Sequence, residues 1–244
     1  MTMTQPSTTN DFLTRAQQAA TSEILKDCEP DEVASEIAEN AMEFTERTIL
    51  WALSQSSYTE QPACTIQCNS CCHLHTTASV PEVILLAERV QLVGFPLNSL
   101  RENLSRHINQ TTGLNALQRR QLRLPCPLLT DGMCGVYDAR PLVCRGWNSL
   151  ERQRCEADLI SPELGTQAVL NLKQYRATGQ IAQGLANAIQ SYGLDARPVD
   201  MVRGLTIAIE HADAAKRWLA GESLFTLAVN ELVFPAPAEE TRMK

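Results

Sequence analysis

Aromatic residues make up only 5% of the 244-residue chain. No apolar run approaches the thickness of a bilayer, and nowhere do Lys and Arg gather into a broad patch. Each shortage excludes something. With few rings, the core has to come from aliphatic side chains, and the 44% hydrophobic content is normal for a globular chain. The longest apolar runs, Thr48–Leu53 and Val83–Ala87, fall far short of the ~20 residues a spanning helix needs. No membrane partner is therefore expected. A net charge of −7 and a pI near 5.2 argue against a nucleic-acid partner, which calls for clustered cations. The one basic group, Arg119-Arg120 with Arg123, reads as the solvated face of a helix. The polar opening, Met1 to Asn10, has no basic stretch followed by an apolar core, so no secretory leader is expected and a cytoplasmic location follows. Beyond Ser161-Pro162-Glu163, nothing resembles a phosphate-cradling glycine loop, a repeat of fixed period or a set of strands.

What the chain has is cysteine. Cys64, Cys68, Cys71 and Cys72, with His73 and His75, fall within twelve residues, and Cys126, Cys134, Cys144 and Cys155 follow. Only Cys28 of the nine lies outside residues 64–155, beside a Glu29-Pro30-Asp31 break where it reads as a small packed side chain. Cytosolic thiols are kept reduced, so this density points to metal or redox chemistry and not to a disulfide framework. An odd count fits disulfides poorly as well.

Thiolates are soft anionic donors for zinc and iron. Cys68-x-x-Cys71 has the gap that lets a turning chain present two sulfurs to one side, and Cys64 supplies a third donor from nearby. Cys71 and Cys72 are neighbours, whose side chains point apart on a strand and about 100° apart on a helix. They are poorly placed to grip one small ion together. Two schemes remain: two centres, each drawing ligands from the early and later cysteines, or one four-ligand site with the remaining thiols packed around it. Ligand count favours the first. His73 and His75 could ligate or carry protons, but the preferred reading makes them hydrogen-bond donors beyond the ligands or loop residues. His107 and His211 fall on expected helices at the surface or core edge. A thioredoxin-like dithiol would want a preceding strand, and nothing marks one cysteine as an activated nucleophile.

In the later group, the Asp131-Gly132 turn should reverse the chain between Cys126 and Cys134 and bring their sulfurs together. Pro127 and Pro141 stiffen the flanks. Arg140 and Arg145 are placed to offset the negative charge of a thiolate centre from just outside the ligands, or to pair with nearby acids.

Around this middle the periodicity predicts helices. The first runs from Asn10 or Asp11 to about Lys26, with Phe12, Leu13, Ala16, Ala20, Ile24 and Leu25 at helical spacing. The second runs from an Asp31 cap to Leu53. Ser79-Val80-Pro81-Glu82 reads as a capping box opening a helix to about Val90, with Gly94 beyond its end. Ser99–Glu102 should open another, to about Asn109, and a short one should cover 114–122. Residues 124–156 read as irregular loops. Helices are expected again over 163–175, 179–192, 200–211 with Asp200 as cap, and 212–230 with a break near Gly221. The fold class is all-α: a bundle-like single helical domain over residues 10–233 with an irregular cysteine-rich, metal-binding middle, and tails at 1–9 and 234–244.

Taken together, the cysteine pieces resemble the YkgJ-type CxxCxxCC cysteine-cluster family, described as zinc- or iron-chelating. The matching pieces are the run Cys64, Cys68, Cys71, Cys72, then Cys126-Pro127-Leu128-Leu129, Cys134-Gly135-Val136-Tyr137, and Arg140-Pro141-Leu142-Val143-Cys144-Arg145. One extra residue separates the first two cysteines from the family spacing, and Cys155 lies past the pattern. The match covers about residues 64–155. The resemblance implies an iron–sulfur cluster or a zinc or iron centre, with Cys64, Cys68, Cys71, Cys72, Cys126, Cys134, Cys144 and Cys155 as ligands. Three roles stay open: a metal-binding protein of undefined biochemical role, an iron-dependent oxidoreductase or protein- or peptide-modifying enzyme, and a structural zinc domain presenting an interaction surface.

Overall fold

Aliphatic residues three and four apart build the scaffold, as a chain so poor in rings requires. The computed structural model describes residues 11–57, 61–65, 67–164 and 168–229, apart from the side chains of Ala116 and Arg120. The tails expected at 1–9 and 234–244 lie outside the described residues. The fold is all-α and bundle-like. Among the described residues, α1 (Phe12–Asp27), α2 (Val33–Ser54), α3 (Val80–Leu92), α4 (Leu97–Thr111) and α5 (Ala116–Gln121) precede the later cysteines. Short α6 (Leu142–Gly146) and α7 (Arg152–Ile160) carry Cys144 and Cys155, and α8 (Leu172–Ser191), α9 (Met201–Glu210) and α10 (Ala214–Leu219) follow.

The core joins α2, α3, α8 and α9. Ile37 and Ala41, Leu86 and Val90, Ile181 and Leu185, and Leu205 are almost wholly buried. Each large aliphatic side chain buried this way contributes about 1.5–3 kcal/mol relative to exposure. Helix α3 is buried nearly all round, which explains its continuous apolar run. Its start is the expected capping box: the Glu82 side chain accepts from Ser79 N at 2.6 Å, and Ser79 Oγ accepts from Glu82 N at 3.4 Å.

Helix α1 keeps only part of its expected apolar stripe, with Leu13, Ile24 and Leu25 packed against the core. Phe12 is 64% exposed, while Thr14, Gln17 and Thr21 face inward. The reason is close approach. A Cβ on Gly184 of α8 would lie 2.3 Å from the Thr14 carbonyl oxygen, so α1 and α8 meet backbone to backbone through small and polar side chains. Thr14 Oγ1 donates across the gap to Gln180 O at 3.1 Å.

Other boundaries moved for local reasons. Helix α2 begins at Val33 with no side-chain cap, and Asp31 pairs with Lys216 at 2.9 Å. Helix α4 starts after Pro96, before the expected Ser99 cap. The break expected near 175–179 is absent, because Asn171 caps one continuous α8 by accepting from Gln174 N at 3.2 Å. Helix α9 starts at the expected Asp200 cap.

Two small antiparallel pairs interrupt the helices. In β2 (Leu129–Thr130) with β3 (Met133–Cys134), Asp131 and Gly132 both take positive φ, +51° and +76°. That is the backbone a two-residue hairpin with right-handed strand twist needs. The other pair, β1 (Thr77–Ala78) with β4 (Val199–Asp200), fastens the end of the early cysteine segment to the start of α9. No described helix is long and apolar enough to cross a membrane.

Candidate metal centre

The early cysteines sit on a tight, irregular path. Gln67 adopts a left-handed φ of +72°, and Cys68 N donates to Thr65 O at 3.0 Å. A single 3₁₀ turn, Ser70–His73, then presents Cys71 and Cys72. Two bonds tie this turn to the later group. Cys126 N donates to Cys72 O at 2.7 Å, and Asn69 Nδ2 donates to Gly132 O at 3.1 Å, at the hairpin tip. The expected reversal at Asp131-Gly132 thus sets Cys134 against Leu129.

Helix α6 brings in Cys144. Its first N–H, from Leu142, is received by Glu82 Oε1 at 2.7 Å, so one buried carboxylate both caps α3 and seats α6. Helix α7 brings in Cys155 and is held by Arg123, whose Nη2 lies 2.9 Å from Asp158 Oδ2 with both side chains 6% exposed. At the other margin, Ser149 organises two thiols. Its carbonyl accepts from Cys64 Sγ at 4.0 Å, and its hydroxyl lies against Cys155. Ala63 N also donates to Ser149 O at 2.7 Å.

The thiols are close enough to oppose one another's ionisation, and the pattern of opposition maps the cluster. Burial pushes Cys126 up to about 12, with Cys134 and Cys71 adding to the effect. Cys144 is raised by burial and then by Cys126, Cys71 and Cys134. Cys134 is raised by burial, with Cys71 and Asp138 adding. Cys64 is raised by burial and by Cys68, Cys71 and Cys155, and Cys155 by burial and by Cys68 and Cys71. Cys71 is raised by a hydrogen bond to the Cys72 thiol and then by burial. All eight expected thiols therefore belong to one connected neighbourhood, and Cys71 is its common member.

All nine cysteines are free. Among the described residues, no three Cys, His, Asp or Glu side chains stand in an arrangement that could hold a metal ion as they are. The neighbourhood is one of crowded thiols and not a finished coordination shell. Its donor chemistry still fits a thiophilic ion or cluster, since several adjacent thiols can ionise together only if a cation offsets their charge.

The two expected arginines behave differently. Arg140 faces the cluster and favours ionisation of Cys71, Cys134 and Cys144. It is fixed by stacking on the Tyr137 ring, 3.6 Å from the centroid, and by donating from Nε to Tyr137 O at 3.2 Å. Arg145 turns to an acid instead, pairing with Glu46. It also donates from Nε to Arg140 O at 2.9 Å and from Nη2 to Asp138 O, so it braces the loop that carries Arg140.

The remaining candidates are engaged elsewhere. His73 Nδ1 meets Asn69 O at 3.2 Å, and His75 Nδ1 lies 3.7 Å from Asp200 Oδ2. Cys28 Sγ donates to Glu36 Oε2 at 2.8 Å, with its thiol raised to about 11 by burial and then by that hydrogen bond. The solvated basic face expected at 119–123 is corrected. Arg119 reaches Asp200 Oδ2 at 3.4 Å and Arg123 reaches Asp158, both largely buried, while the Arg120 side chain lies outside the described residues.

Sequence reasoning missed Ser149, Glu46 and Arg152. Arg152 stands one turn before Cys155, a spacing that could have flagged it: it feels Cys68 and donates from Nη1 to Thr65 Oγ1 at 3.2 Å. Set against protein-family models, curated proteins and solved structures, the chain finds no match in any of the three.

Proposed function

We propose that the chain is a metal-binding protein in which cysteines 64–155 hold an iron–sulfur cluster or a thiolate-bound zinc or iron, as the resemblance to the CxxCxxCC cysteine-cluster family implies. One observation carries this reading: Cys71 interacts with Cys64 and Cys155 on one side and with Cys126, Cys134 and Cys144 on the other. Neutral thiols pack without penalty, but thiolates brought together from segments more than fifty residues apart in sequence need a shared cation. The cation supplies the charge that lets them ionise, and its binding releases their protons. Arg140 offsets the excess negative charge from the rim. A reducing compartment such as the cytoplasm would keep the nine thiols free for this role.

The engaged state of His73 and His75 favours a centre that organises the protein over one with a histidine acid or base. An enzyme reading would need an open ligand position. The test is anaerobic purification followed by zinc, iron and sulfide analysis and a visible absorption spectrum. Bound zinc, or iron with or without sulfide, is the expected result. A reduced chain that carries none of these and takes up neither added zinc nor added iron overturns the reading.

A further inference from the structure

Two thiols lie at the solvent margin of the neighbourhood. Cys64 is exposed, and Cys155 sits half-buried on α7, where its neighbours Arg154 and Glu156 are exposed. Cys126 and Cys134, by contrast, pack against the apolar core. Cys64 and Cys155 are far apart in sequence, yet one residue touches both. The Ser149 carbonyl accepts from Cys64 Sγ at 4.0 Å, and the Ser149 hydroxyl lies against Cys155. Ser149 is itself 1% exposed, and it is fixed by pairing with Leu170 and by accepting from Glu151 N at 3.1 Å. Two further bonds tie the segments that carry these thiols. Ala63 N donates to Ser149 O at 2.7 Å, and Arg152 Nη1, one turn before Cys155, donates to Thr65 Oγ1 at 3.2 Å. The residues on both sides of Cys64 are thus bonded to the stretch that opens α7.

We infer that Cys64 and Cys155 are an oxidation-responsive pair, a modification site at which a small disulfide such as oxidised glutathione converts two thiols into one intramolecular disulfide. Such exchange runs through a mixed disulfide, and access decides which thiol attacks first. Cys64 is the exposed one. Its thiolate attacks one sulfur of glutathione disulfide, and the other sulfur leaves as glutathione thiolate. The Cys155 thiolate then attacks the Cys64 sulfur and expels the second glutathione. The two cysteines give up two protons and two electrons, and one glutathione disulfide becomes two molecules of glutathione. The product pins α7 to residue 64, so an oxidised thiol pool is recorded as a covalent tie at the rim of the cysteine-bearing middle. This pairing needs no bound ion and stands apart from the metal-binding reading.

The full chain, purified anaerobically with its thiols reduced, is treated with oxidised glutathione, quenched by alkylation at timed intervals and mapped by peptide mass spectrometry. The first protein disulfide should join Cys64 to Cys155, with Cys126 and Cys144 still recovered as alkylated thiols. In Cys155→Ser the second step is lost, and glutathione should accumulate as a mixed disulfide on Cys64. In Cys64→Ser the exposed attacker is lost, and oxidation of Cys155 should slow on the order of tenfold or more, because reaction follows access. Both serines replace side chains that reach solvent, and circular dichroism checks that each variant keeps the parent's helices. A Cys64–Cys68 bond as first product, a scrambled set of bonds, or a Cys64 that stays reduced in excess oxidised glutathione overturns the pairing. Zinc and iron are measured on the same sample before oxidation, so a chain that carries neither counts against the metal-binding reading and leaves this one standing.

Discussion

The helical scaffold and the cysteine-bearing middle are held together by different forces. In α2, α3, α8 and α9 the contacts are aliphatic and dry, through Ile37, Leu86, Ile181, Leu185 and Leu205. Between residues 61 and 160 the buried apolar side chains outside α3 and α4 are few and small in reach, chiefly Leu128, Val136, Ala139 and Leu142. That region is tied by single bonds: Cys126 N to Cys72 O, Leu142 N to Glu82, Arg123 to Asp158 and Arg145 to Glu46. Apolar burial is cooperative and indifferent to ligand, whereas a set of isolated polar ties fixes position without supplying much net stability. The scaffold should therefore stand alone, and the middle should depend on whatever its thiols hold.

The sharpest way to test that contrast is to damage the scaffold. Leu205 of α9, the helix that packs on α3 and α4, is 0% exposed. Leu205→Ala should cost about 2–5 kcal/mol, seen as a lower urea midpoint for the whole chain. If it merely loosened the cysteine segment, the two regions would not be separable as described. The next effect belongs to the joint between them. Glu82→Ala removes the acceptor for Leu142 N and the cap of α3 together, leaving a buried N–H unpaired for about 1–3 kcal/mol. Its signature should be loss of protection at Leu142 in hydrogen exchange, with the α8 amides unaffected.

Much of this contrast is legible in the chain itself, and the failures have physical causes. The Ser79–Glu82 capping box, the Asp200 cap and the Asp131-Gly132 reversal are local rules that tertiary structure left alone. The polar inward face of α1 could not be read, because it depends on Gly184, more than 160 residues away, letting two backbones touch. Arg119 and Arg123 looked solvent-facing since charge is normally exposed, but their partners, Asp200 and Asp158, come from other elements. The cysteine spacing named the neighbourhood. It could not name Ser149 or Arg152, whose contacts with Cys64, Cys155 and Thr65 depend on the packing of distant segments.

Removal of metal should have a smaller and more confined effect than either substitution. On the metal-binding reading, a strong chelator applied under reducing conditions should expose residues 61–75 and 124–160 to limited proteolysis while the far-ultraviolet helical signal changes little. A chain that loses its helices on chelation would show that the scaffold needs the ion too. No change in cleavage would show that the middle is self-supporting.

The smallest expected effect comes from protons. Asp200, 2% exposed, gathers His75, Arg119 and the Arg203 N–H of α9 around one carboxylate, and His107 of α4 and the Arg203 side chain complete the group. His75 and His107 are both held below the usual histidine range, first by burial and then by the two arginines, against the opposing pull of Asp200. His107 Nδ1 is buried without a hydrogen-bond partner among the described residues. The unfolded chain takes up protons near the ordinary histidine pKa of about 6.5, whereas the folded chain resists them to lower pH. In that window the unfolded state binds more protons, so stability must rise with pH and fall on acidification. Above it, these two histidines contribute no slope. Thermal midpoints measured at pH 7.5 and 5.5 should therefore decline on the acid side, and His107→Gln should flatten the decline by removing one of the two groups. A variant as acid-sensitive as the parent would move the cause from this cluster to the carboxylates, which titrate lower. Because β1 and β4 meet at Asp200, the loss should appear first in exchange of the Met201 amide, which donates to Thr76 O at 3.1 Å and joins the cysteine segment to the scaffold.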